Sequence, residues 1–240
     1  MIEYRNITKS FKKFRALDNI SLSLEKGECV SLIGPNGSGK TTLIKCLLGM
    51  VIPEKGELLF DGKSTTGEWA YRSRIGYMPQ ISRYPQNLTI SGVFGMMKDI
   101  RKNTSHELDE ELIHLLALKE ISEKKLGTLS GGTKQKVSAS LAFLFSPSVL
   151  VLDEPTAGLD PLSSEILKNK IRREKEKGKL ILITSHILSD LDEITSQVVY
   201  IQEGKLKFHK SLNELKQETG QQSLGKAIAH IIGKENIQHK

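Results

Sequence analysis

Apolar residues along this chain fall into short blocks of two kinds. IleSerLeuSerLeu at 20–24 alternates apolar and polar positions, the pattern of a half-buried strand. GluCysValSerLeuIle at 28–33 is a near-continuous apolar run that stops at Gly34, as a strand buried on both faces of a parallel sheet does. ValLeuValLeu at 149–152 and LeuIleLeuIleThr at 180–184 have the same form. Between these blocks the rhythm changes to helical. LeuIle-x-CysLeuLeu from Leu43 repeats at the spacing of a helix face. From about Ile81 to Pro147 the chain reads as helical, with Leu108, Leu112, Leu115 and Leu116 on one face and Thr104 with Glu107 spaced as a capping box. ValSerAlaSerLeuAlaPheLeuPhe, 137–145, is a second, strongly apolar helix. A charged helix separates the last two strands, with Asp160 placed to cap it, Pro161 in its first turn and Gly178 at its end. After Leu215 the chain is polar except for an amphipathic segment at Leu224, Ile228, Ile231 and Ile232.

The pattern predicts an α/β core interrupted by a helical insertion, with no internal repeat and no low-complexity linker. Its 240 residues fit one domain with an inserted subdomain. With 38% hydrophobic and 26% charged residues the composition is that of an ordinary globular protein. Aromatics at 5% argue against a base-stacking nucleic-acid platform. The net charge of +7 is spread among interleaved acids, as in ArgArgGluLysGluLysGlyLys from Arg172, and reads as a solvated surface. Cys29 and Cys46 lie in apolar segments and read as small core residues, and the six histidines have no metal-ligand spacing. No apolar stretch reaches the roughly 18 residues of a membrane helix, and the N-terminus has no signal-like apolar region.

Candidate chemistry sharpens this picture. GlyProAsnGlySerGlyLysThrThr, Gly34 to Thr42, satisfies the G-x-x-x-x-G-K-[ST] pattern between a predicted strand and a predicted helix. In such a loop Gly34, Pro35, Asn36, Gly37, Ser38 and Gly39 bring main-chain N–H groups close to phosphate, at the positive end of the following helix. Lys40 is expected at the β and γ oxygens, and the hydroxyl of Thr41, beside Thr42, in the shell of Mg2+. Asp153 and Glu154 end a buried strand at its carboxyl edge, where α/β proteins bind ligands. Asp153 is therefore the candidate magnesium carboxylate and Glu154 the candidate base for an attacking water. LeuSerGlyGlyThr at 129–133 precedes the apolar helix and offers a second anion site, unless Ser130 is only an N-cap.

Taken in order, GPNGSGKTT, YMPQ at 77–80, LSGGT, VLVLDEP, AGLD at 157–160 and TSH at 184–186 resemble the nucleotide-binding subunit of an ATP-binding cassette (ABC) transporter over nearly the whole chain. The resemblance implies a P-loop NTPase core with an antiparallel β portion over 1–80 and 147–215, an inserted α-helical subdomain carrying the signature over 81–146, and a helical tail over 216–240. It implies that Phe11 stacks on adenine, with Phe14 as the substitute, and that Gln80 meets Mg2+ and the water while coupling to a membrane partner. Ser130, Gly131 and Gly132 match the signature that closes on the γ-phosphate bound by a second copy; Thr133 departs from the usual glutamine. Asp160 matches an acid crossing that dimer interface, and His186 a histidine fixing the γ-phosphate and water. The implied activity is ATP hydrolysis driving separate membrane-spanning permease subunits, from the cytoplasmic face of the membrane, without direct nucleic-acid contact. The insertion is too short for the coiled coils of DNA-repair ATPases, and translation-associated cassette proteins carry two such domains. The run LSGGTKQKVSASLAFLF, followed by DEPTAGLDP and TSHIL, is similar to the NosF-type subunit that accompanies copper-site maturation of nitrous oxide reductase, with drug, lipid or peptide export as the runner-up cargo.

Overall fold

A computed structural model describes residues 1–101 and 108–238; Thr104 and Glu107, and with them the capping box, lie outside the described residues. Two sheets carry the architecture. The first is antiparallel, in the order β2-β1-β4-β5, built from β1 (Ile2–Phe11), β2 (Phe14–Leu24), β4 (Lys55–Phe60) and β5 (Lys63–Ser64). The second has the order β10-β9-β3-β8-β7-β6, from β3 (Cys29–Ile33), β6 (Ile75–Met78), β7 (Val149–Asp153), β8 (Leu180–Thr184), β9 (Gln197–Gln202) and β10 (Lys205–Ser211). All its pairings are parallel except β9 with β10 at one edge.

Side-chain alternation along the central strands explains why they read as unbroken apolar runs. Val149 and Val151 face one core with Val30, Leu32 and the buried face of α1 (Lys40–Leu47), under the antiparallel sheet. Leu150 and Leu152 face the other core, filled by α2 (Ile90–Ile100), α4 (Gly131–Phe143), α5 (Pro161–Glu176) and the tail. A parallel strand needs apolar side chains on both faces, so period two disappears from the sequence. Cys29 and Cys46 are buried thiols in these cores, and burial pushes them up to about 12 and about 11.

The segment between β6 and β7 differs from its expected form. In place of a long helix from Ile81, an irregular stretch leads to α2, then to the short α3 (Glu111–Leu115) and to α4. Leu112 and Leu116 are buried, whereas Leu108 and Leu115 are 39% and 49% exposed, so the four leucines do not share one buried face. The apolar helix expected at 137–145 starts six residues earlier, because Ser130 caps it by accepting the Thr133 N–H at 3.2 Å. α5 has the predicted ends: Asp160 accepts the Ser163 N–H at 2.9 Å, Pro161 opens the first turn, and Gly178 follows with φ +81°. In the tail, α6 (Leu212–Thr219) begins with a capping box from Ser211 and Glu214. The final helix, α7 (Leu224–Gln238), buries Leu224, Ala227 and Ile228. No helix among the described residues is long and apolar enough to cross a membrane.

Candidate nucleotide site

The carboxyl ends of β3, β7 and β8 meet at one cavity of about 390 Å³. Asn36 to Thr42 form one wall; Gln80, Asp153, Glu154, Thr184 and His186 form the rest, with Phe14 and Ala16 at the side. Sequence-distant groups thus converge as expected of ligand sites at strand carboxyl ends.

The loop owes its shape to one close approach in particular. Gly34 has φ +155°, and a Cβ there would fall 2.0 Å from the carbonyl oxygen of Ile201. Only glycine passes there, which lets the loop turn back over β9. Gly39 is the N-cap of α1 in a left-handed conformation and makes no side-chain cap, so the first N–H groups of that helix point to the cavity unsatisfied. Ser38 Oγ is buried without a partner. A buried orphan donor beside free amides is the chemistry that a phosphate oxygen satisfies. Lys40 Nζ donates to the carbonyls of Gly34 at 2.6 Å and Pro35 at 3.0 Å. Burial pushes its pKa down, against the opposing pull of Glu154 and Asp153.

Opposite the loop, Thr184 Oγ1 donates to Asp153 Oδ1, which fixes the carboxylate at the end of β7. Glu154 follows in the left-handed region at φ +55°, with its N–H held by the Thr184 carbonyl at 3.1 Å. Its side chain is buried against His186: the His186 N–H donates to Oε2 at 3.2 Å, and Nε2 lies 3.3 Å from Oε1. The oxygen donors of Thr41, Gln80 and Asp153 on one cavity are the hard-ligand set that suits Mg2+.

Other predicted residues stand elsewhere. Gly34 and Pro35 support Lys40 and do not line the cavity. Phe11 is paired with Phe14 across the β1–β2 hairpin, and it is Phe14 that reaches the cavity wall. Ser130 and Gly131 are exposed, Gly132 is half-buried, and none of the three lines this cavity. The Ser130 hydroxyl also lies 2.9 Å from the Thr133 hydroxyl, a partner that glutamine would not supply in that form. Asp160 is a helix cap, bonded to Ser163 and to Lys136 Nζ at 2.8 Å, and these contacts hold its carboxyl well below the usual range. Thr184 and Phe14 were given no leading role by the sequence. Thr184 ends an apolar strand as Asp153 does, and that shared position was its available signal.

A glycine loop on a helix N-terminus facing a strand-end carboxylate pair defines a phosphate-loop nucleoside triphosphatase. Residues 17–157 match the ABC transporter family model. The chain is 34% identical over 208 residues to the Nod factor export ATP-binding protein I of Burkholderia lata, covering 85% of this chain and 68% of that protein. It is 33% identical to the lantibiotic transport ATP-binding protein SrtF of Streptococcus pyogenes, covering 88% and 90%. Among solved structures, an ATP-binding subunit of an ABC transporter superposes with a TM-score of 0.88 at 26% identity, over 97% of this chain and 99% of that one. A bacterial ABC transporter cassette solved as a dimer gives 0.77 at 26% identity, over 88% and 99%. The chain belongs to the ABC transporter family; it is an ATP-binding subunit and an ATPase.

Proposed function

We propose that two copies of this chain clasp ATP between the phosphate loop of one and the LeuSerGlyGly turn of the other, and that the resulting closure drives a separate membrane-spanning permease. The observation that supports this reading is incompleteness. Lys40, Asp153, Glu154 and His186 share one cavity, whereas Ser130 and Gly131 are exposed and lie outside it. A capped helix N-terminus with Gly131 exposed presents main-chain N–H groups to solvent, where they can meet a phosphate held by a second copy.

In this reading Lys40 and the loop amides hold the β- and γ-phosphates by charge-assisted hydrogen bonds. Thr41, Asp153 and Gln80 hold Mg2+, which would neutralise charge on the phosphate oxygens. Glu154 orients or deprotonates the attacking water, and His186, already bonded to that carboxylate, fixes the γ-phosphate side. Hydrolysis removes the group that both chains grip, and the pair opens. Gln80 carries this movement toward the permease, with the chain peripheral at the cytoplasmic face.

Nod factor export and lantibiotic transport in the names of the relatives favour an exporter. They give no support to the NosF-type copper-maturation reading, whose basis is the likeness of three runs beginning at Leu129, Asp153 and Thr184. Selection of cargo then rests with the permease, and co-purification with membrane subunits identifies it.

Glu154→Gln tests the core of the proposal. The variant is expected to retain ATP binding and to lose turnover by at least about a hundredfold, the scale of a missing general base. On sizing it shifts from monomer to dimer only with ATP. A variant that hydrolyses normally and stays monomeric removes both the base and the clasp.

A further inference from the structure

One face of α4 grips the turn that carries Glu154. Gly132, Gln135 and Lys136 are spaced i, i+3 and i+4, so they share a side of the helix. Each touches the stretch from Glu154 to Asp160 of the same chain. A Cβ on Gly132 would fall 2.6 Å from the Gly158 carbonyl oxygen, so the helix rests directly on that turn. Gln135, although polar, is buried, and its Nε2 donates to the Glu154 carbonyl at 3.1 Å. Lys136 Nζ lies 2.8 Å from Asp160 Oδ2.

The middle contact bears on catalysis. Glu154 sits at φ +55°, a conformation that a residue with a Cβ keeps only where its surroundings enforce it. Its N–H is tied to β8 through Thr184, and its carbonyl is tied to α4 through Gln135. With both main-chain groups held, the carboxylate stands against His186. Without the Gln135 donor the buried carbonyl has lost a partner, and the peptide relaxes out of the left-handed region by rotating, which swings the carboxylate away from its water.

We infer that Gln135 is a positioning residue for Glu154 of its own chain, so the helix whose first turn serves the partner's nucleotide also holds the carboxylate that works on its own. This rests on the shared-site reading above. A change at the signature end of α4 is then felt at the other nucleotide, and the two sites are linked through a single helix.

Gln135→Met keeps the volume and removes the donor; Gln135→Asn keeps a donor too short to reach, and serves if the first variant folds poorly. In the full chain either is expected to lower kcat at least tenfold while ATP Kd stays within about twofold, because displacement of a catalytic group by about 1 Å costs rate and not ground-state affinity. A kcat within twofold of the parent, or kcat and Kd changing together, overturns the assignment. Mixed dimers test which chain is served. Lys40→Ala mixed with Ser130→Arg leaves one complete site, which uses the Glu154 of the Ser130→Arg chain. Adding Gln135→Met to the Ser130→Arg chain is expected to lower the rescued hydrolysis at least tenfold, and adding it to the Lys40→Ala chain to leave it. The opposite pattern places Gln135 in the service of the partner's phosphate and overturns the inference. If the parent mixture shows no rescue at all, the shared-site reading falls, and the kcat-against-Kd split of the single variants still decides Gln135.

Discussion

Phe11 and Phe14 show how two chemically equal side chains, with only Lys12 and Lys13 between them, come to different places. They face each other across the turn joining β1 and β2, yet only Phe14 lines the cavity wall, while Phe11 is exposed with Lys9 Nζ 5.5 Å above its ring. β2 is the strand that runs beside the phosphate loop, where a Cβ on Gly39 would fall 2.5 Å from the Ala16 carbonyl oxygen, and that placement is invisible in a stretch as polar as ThrLysSerPheLysLysPheArg. Aromatic stacking on a base contributes about 1–3 kcal/mol, so Phe14→Ala is expected to raise the KM for ATP roughly tenfold. Phe11→Ala is expected to change it by less than about twofold. Steady-state hydrolysis over a range of ATP concentrations compares them, and the reverse ranking returns the adenine contact to Phe11.

At the scale of elements, the join between α3 and α5 depends on a buried charge cluster. Lys170 on α5 is 1% exposed and lies 2.5 Å from Asp109, 2.8 Å from Glu111 and 3.2 Å from Glu174. Glu174 is 0% exposed, and Lys177 and Lys179 complete its shell. Burial alone would push the Glu174 carboxyl up, but the hydrogen bonds from Lys177 and Lys179 and the charge of Lys170 outweigh it and hold it at about 2. A carboxyl with a depressed folded pKa stabilises the fold fully above its ordinary value of 4.5 and loses that contribution as pH falls from there toward about 2. Removing the central cation takes away the cation that Asp109 pairs with and one of the three around the buried Glu174, so Lys170→Met is expected to cost about 3 kcal/mol and about 10 °C in Tm. Thermal unfolding at pH 7 reads the loss; an unchanged Tm would show that the cluster contributes nothing net. None of this was legible in the sequence, where ArgArgGluLysGluLysGlyLys reads as a solvated face. The central strands and α5 were legible because burial on both faces and local caps leave marks in consecutive residues. Of the antiparallel sheet only the end of β2, Ile20–Leu24, shows its alternation in the sequence, since register shifts between Tyr4 and Ser10 break the two-residue pattern along β1. The stretch after Ile81 departs from the expected helix because leucine spacing alone does not tell an exposed Leu115 from a buried Leu116. For the site the same rule holds: the loop and the carboxylate pair are contiguous and were read directly, whereas Gln135 meets Glu154 only through the packing of α4 on the following turn.

On the scale of the whole molecule, the proposed clasp makes activity depend on how often two chains meet. Each chain carries a formal charge of +7, so two copies approach against mutual repulsion, and the polyanion held between them is what reverses the balance. A single chain holds Lys40, Asp153 and Glu154 but leaves Ser130 and Gly131 facing solvent, so a monomer binds ATP without completing the grip on its γ-phosphate. Hydrolysis per chain is therefore expected to rise with protein concentration and to level off once dimers dominate, because mass action sets the paired fraction. At low concentration the total rate grows as the square of the concentration. Apparent ATP affinity, measured on the same samples, tightens over that range, because a dimer that ATP stabilises must in turn hold ATP more tightly than one chain alone. Raising salt at fixed protein concentration screens the repulsion between copies but also weakens the contacts of Lys40 with phosphate, so the concentration series is run at one ionic strength. A specific activity that holds constant over a hundredfold dilution places the whole reaction within one chain and leaves the exposed LeuSerGlyGly turn without a part in it.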